Sequence, residues 1–185
     1  MRLGLRQVLP IAIAAAACLA AGAGAAQSPS ALAAALAHTK VTAAQLPHGY
    51  KSPVVAAYKL SAGDKTHGAV GAASITADHG AELVIYLVFK TAAEAKADFE
   101  HGNFANVSHK AAPSSIPSPN VEVNTSTTGK VGANTVTIGI TEIAFPYENV
   151  LIQAATSSQT STTHGDVAGA AALAKFALAH LKAAG

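Results

Sequence analysis

The chain is nearly free of sulfur and of guanidinium groups. Its one cysteine (Cys18), one methionine (Met1) and both arginines (Arg2 and Arg6) lie within the first eighteen residues, and tryptophan is absent. From residue 27 onward there is no thiol, which excludes a disulfide, a cysteine nucleophile and a thiolate metal site. The absence of arginine removes the planar fork that clamps phosphates and carboxylates bidentately. The same stretch carries ten lysines against ten acidic residues, so the formal charge of +2 belongs to the N-terminal segment. Balanced charge without arginine argues against nucleic-acid binding, which needs a basic surplus to displace counterions. Aromatics are scarce (five Phe, four Tyr), which disfavours a sugar-stacking surface. Stability must therefore come from packing.

What the first residues do contain is an ordered pattern. Arg2 and Arg6 give a positive start, an apolar run extends from Val8 to Ala20, and small residues lead to Ala23-Gly24-Ala25-Ala26. That order is the signature of a secretory signal peptide spanning 1–26, with cleavage after Ala25 or Ala26. Two alternatives are a retained anchor helix and lipid attachment at Cys18. Pro10, the weak hydropathy and the missing stop-transfer charges oppose the anchor. The run Ala15-Ala16-Ala17 before Cys18, followed by further apolar residues, opposes lipidation. Residues 27–185 are then expected as one extracytoplasmic domain, secreted or periplasmic, with no transmembrane span. The alanine-rich leader is bacterial in character, so the Asn106-Val107-Ser108 and Asn124-Thr125-Ser126 glycosylation patterns are read as chance.

Along that domain, Ser30 is the expected N-cap of a helix from Ala31 to His38, with Leu32 and Leu36 facing inward. Leu46 to Tyr50 is a loop. Strands are expected at Val54–Leu60 and Ala69–Ala77, separated by a turn at Asp64–Gly68. Asp78-His79-Gly80 makes a hairpin turn into Glu82–Lys90, whose unbroken apolar run from Leu83 to Phe89 marks a central strand covered on both faces. Thr91 and Glu94 form a capping box for a helix ending near His101, closed by Gly102. Ala92, Ala95 and Phe99 share its inner face, and Lys96 pairs with Glu100. The Pro-rich stretch 111–120 is an exposed connection between halves. Val121–Asn124 is a short edge strand, and Thr135–Phe145 a longer one. In the latter Val136, Ile138 and Ile140 have the opposite parity to Ile143 and Phe145, which predicts a β-bulge near Thr141 and Glu142. Val150–Thr156 follows. Asp166 caps a last helix from Val167 to Lys182, buried along Val167, Ala170, Ala174, Ala177, Leu178 and Leu181.

The fold expected is α+β: an antiparallel sheet of about five to six strands, with helices packed mainly on one face, built from two strand-hairpin-strand-helix halves. The halves match in architecture and not in sequence.

Histidine is the unusual residue type, with eight at 38, 48, 67, 79, 101, 109, 164 and 180. Neutral imidazole suits zinc and copper, yet no His-x-His, His-x-x-x-His or His-Glu-x-x-His spacing occurs. Most of these histidines adjoin glycine in turns, and His101 and His180 suit helix C-termini as cations. His101 and His109 are the best candidate metal pair, on either side of one short loop. No Gly-x-Ser-x-Gly elbow is present. Glu94 and Asp98 read as solvated helix neighbours. Gly165 and Gly169 flank Asp166, so an anion at that helix start is an alternative to an ordinary cap. No catalytic residue and no cofactor is assigned. The residues favour a small exported non-enzymatic module, sensor-like, binding an unidentified small molecule or protein. Two alternatives are a His-based extracytoplasmic metal-binding protein and a hydrolase with a site assembled from dispersed loops.

Overall fold

The computed structural model describes residues 27–78, 81–101, 104, 109–131, 134–158 and 160–185. The leader, the turn residues His79 and Gly80, Gly102 and the 106–108 glycosylation pattern fall outside them. Six strands form one antiparallel sheet in the order β1-β2-β3-β6-β5-β4. The strands are β1 (Val54–Ala57), β2 (Gly71–Ala77), β3 (Glu82–Val88), β4 (Val121–Val131), β5 (Asn134–Tyr147) and β6 (Val150–Ser158). The helices are α1 (Pro29–His38), the short α2 (Ala62–Thr66), α3 (Ala92–His101) and α4 (Val167–Ala184). This is the α+β architecture expected: two three-stranded meanders joined where β3 pairs with β6, from Glu82↔Thr156 to Val88↔Val150.

β3 lies at the centre because it is apolar on both faces. Val84, Tyr86 and Val88 join Ile75, Ile143, Phe145 and Ile152 in a core beneath α1 and α4. Leu87 and Phe89 point the other way, into a second core with Leu151, Ala144, Val121, Val123 and Phe99 of α3. Two helices thus cover one face, and α3 covers part of the opposite one. Each fully buried Leu, Ile or Phe contributes about 1.5–3 kcal/mol. Tyr86 and His180 carry polar groups into the first core. The Tyr86 hydroxyl donates to the Ala177 carbonyl at 3.2 Å, and the His180 Nδ1 lies 3.1 Å from the same oxygen. The tyrosine has one proton to give, so with that proton on the Ala177 carbonyl the His180 Nδ1 is the donor to the Tyr86 oxygen. Burial holds the His180 imidazole below its ordinary range.

Several local expectations are corrected. The cap of α1 is Ser28, whose hydroxyl accepts from the Ala31 N–H, and Pro29 occupies the first turn, where its missing donor costs nothing. Residues 64–68 begin inside a short helix, because Ser61 and Asp64 form a reciprocal capping box. β1 ends at Ala57, short of Leu60, and β4 runs on to Val131 in pairing with β5. Pairing of β5 with both neighbours is uninterrupted, so there is no bulge at Thr141 and Glu142. The parity change arises because β5 is covered on both faces: Ile143 and Phe145 face α1 and α4, while Val136, Ile138 and Ile140 lie partly buried on the other side. The Pro-rich connection is pinned rather than exposed throughout. Ala112 and Ile116 are buried, and the Asn120 side chain accepts from the Ala112 N–H while donating to the carbonyls of Ile116 and Pro117.

α4 is the one helix among the described residues long and apolar enough to cross a membrane by length and composition. It is two-faced here: Ala170, Leu173, Ala174, Ala177 and Leu181 pack into the core, while Lys175 and Lys182 are exposed. Its buried side includes Leu173 and His180, whereas Val167 and Leu178 are only half-buried.

Candidate functional site

Among the described residues, two clefts lined by histidine lie on opposite sides of the sheet. The first lies on the α3 face, has a volume of about 190 Å³ and is lined by His67, Ala97, Asp98 and His101. His67 follows α2 as its C-cap, and Asp98 and His101 sit one turn apart on α3. Asp98 occupies the inner side of its helix beside Ala95 and Phe99, with a side chain only 1% exposed. The expected inner residue Ala92 is instead exposed. The His67 Nδ1 approaches the Asp98 Oδ1 to 2.8 Å. At that distance the ring N–H is off the line to the oxygen, so neither carboxylate oxygen accepts a well-aligned hydrogen bond. Burial pushes the Asp98 carboxyl up, the His67 imidazole draws it back down, and Asp64 adds a smaller upward push.

The second cleft, about 260 Å³, is lined by His109, Lys110, Glu122 and Asn124 at the β4 margin. Lys110 reaches it because its backbone bridges to Glu122 in both directions, at 3.0 and 2.7 Å. Glu122 is 3% exposed; its Oε1 takes the Lys110 ammonium at 2.9 Å and the Asn124 amide at 2.9 Å. Both donors converge on one oxygen, Oε1. The chain of bonds continues inward: the Thr141 hydroxyl donates to the Asn124 Oδ1 at 2.6 Å and accepts from the Gly165 N–H at 3.0 Å. A buried carboxylate held this way is fixed in position, because removing one partner of such a pair leaves a charge stranded.

A third group is acidic. The Tyr50 hydroxyl donates to the Asp166 Oδ2 at 3.3 Å, and the Asp166 Oδ1 accepts the Gly169 N–H at 3.0 Å as the N-cap of α4. Glu82 is buried nearby with Oε2 unpartnered, and burial, then Asp78, then Asp166 push its carboxyl up to about 7. The same surroundings, burial first, push the Tyr50 phenol up. The cap of α4 is thus engaged by its own helix and by Tyr50.

The candidate pair is not brought together: His101 lines the α3-face cleft and His109 the β4 cleft. His101 gains His67 and Asp98 as neighbours instead. His109 is directed to the other cleft by Lys110, whose pairing with Glu122 fixes the chain at the sheet margin. Among the described residues no three His, Cys, Asp or Glu side chains are arranged to hold a metal ion. Sequence reasoning missed Asp98, Glu122 and His67. Asp98 had a readable signal, since it lies three residues after Ala95 and next to Phe99, on the apolar side of the helix. No protein-family model matches the chain, and no curated protein matches it in sequence.

Proposed function

We propose that the chain is a small exported, non-enzymatic binding module whose β4 cleft takes a compact ligand bearing both signs of charge. The observation that carries this reading is the buried Glu122 carboxylate, 3% exposed, held 2.9 Å from the Lys110 ammonium at a cleft of about 260 Å³. A cation and an anion fixed side by side complement a zwitterion such as a free α-amino acid. The ligand ammonium would meet the Glu122 carboxylate, and its carboxylate would meet the 63%-exposed Lys110 side chain. A hydrolytic reading has less support, because no serine, threonine or cysteine lines either histidine cleft among the described residues. The signal pattern at 1–26 supports export.

The test is thermal and urea unfolding of residues 27–185 with glycine, alanine, lysine and glutamate. A specific zwitterion at a hundred times its Kd adds about 2.7 kcal/mol of stability. Glu122→Gln and Lys110→Met should each remove the gain, and so should N-acetylation of the ligand. Equal binding of the acetylated compound, or no gain with any amino acid, overturns the proposal.

A further inference from the structure

The α3-face cleft is separate from the β4 cleft and has a different chemistry. Its floor is the Asp98 carboxylate, 1% exposed and without an aligned hydrogen-bond donor on either oxygen. A buried carboxylate in that state is costly unless something nearby supplies positive charge or a directed donor. His67 is the group in contact, at 2.8 Å through Nδ1. Its ring then turns Nε2 away from Asp98, and the 37%-exposed side chain forms part of the cleft wall with His101.

We propose that His67 and His101 bind one divalent transition-metal ion, copper(II) or zinc(II), in this cleft, with Asp98 behind His67 as the orienting carboxylate. Metal-binding histidines commonly have a carboxylate behind the second ring nitrogen, which orients the ring, and Asp98 stands in that place 2.8 Å from His67 Nδ1. A metal on Nε2 would bring positive charge to the ring whose Nδ1 lies 2.8 Å from the buried Asp98 carboxylate. Imidazole selects copper and zinc over calcium or magnesium, and copper binds most tightly in the divalent series. A cleft of about 190 Å³ holds the ion with several waters, at about 30 Å³ per water. Those waters complete a coordination sphere that two imidazoles begin.

The test is titration of residues 27–185 with copper(II), followed by calorimetry, visible absorption and electron paramagnetic resonance. One equivalent should bind, with hyperfine coupling to two imidazole nitrogens. His67→Gln and His101→Gln should each weaken binding at least tenfold, and Asp98→Asn should weaken it about tenfold or more. His38→Gln, at the exposed last residue of α1, should change nothing. Circular dichroism checks folding; if Asp98→Asn unfolds, the two histidine variants decide. Unchanged binding in the His67/His101 double variant, or the lack of a one-to-one phase, overturns the proposal. Loss of metal binding leaves the Glu122 cleft untouched, so the two proposals fail separately.

Discussion

Glu82 is the first residue of β3, and its carboxylate faces Asp78 and Asp166 with no cation among the groups acting on it. In the unfolded chain it ionises near 4.5, whereas in the folded protein it holds its proton to about 7. Folding therefore loses free energy as pH rises through that window and loses no more above it. Glu82→Gln should flatten the loss between pH 4.5 and 7 and raise Tm at pH 8, with little effect at pH 4. Melting curves across that range check the sign, and a Tm at pH 8 lowered by the substitution would contradict it. Residues like this are hard to read from a sequence. A charged residue at a strand start or on a helix is ordinarily solvated, and only partners far along the chain reveal otherwise. Asp98 meets His67 from thirty-one positions away, and Glu122 is engaged by Lys110 through a single bridge. The histidines were visible as unusual, but their grouping was set by the crossing of α3 over the sheet.

Elements were most legible where the signal is local. The Thr91–Glu94 box forms as its spacing dictates, with reciprocal bonds of 2.9 and 3.2 Å, and Lys96 meets Glu100 at 3.5 Å. Asp166 caps α4 as expected. β5 was misread because alternation assigns one inner face, whereas this strand buries residues on both. The approach to α4 carries a contact of another kind. Thr141 and Thr156, both fully buried, bind the Gly165 N–H and the Asp166 carbonyl at 3.0 and 2.7 Å. These bonds bring the loop down onto β5 and β6 so closely that a Cβ on Gly165 would collide with the Thr156 carbonyl and the Thr141 nitrogen. Gly165→Ala should therefore cost on the order of 1–3 kcal/mol in urea unfolding. A change below about 0.5 kcal/mol would show that the loop can lift away.

The whole molecule is organised around a sheet shared by two cores. Leu87 and Val88 are neighbours on β3 that face opposite sides, and both are essentially buried. Replacing either with alanine should cost on the order of 2–4 kcal/mol. Because both cores share the same strands, each variant should lower a single unfolding transition rather than split it, which calorimetry reads directly. Two separate transitions would mean that the layers fold independently. The overall architecture was legible because the Leu83–Phe89 run demands cover on both sides. The positions of the clefts were not, since they depend on where helices lie over the sheet. The placement of α3 and α4 on opposite faces also bears on descent. A half-turn about an axis normal to the sheet exchanges β1-β2-β3 with β4-β5-β6 and keeps every helix on its own side. That rotation would lay α3 where α4 lies, yet α3 is found beneath the sheet when α4 is above it. A simple tandem copying of one ancestral half does not generate this molecule unless one helix later changed sides.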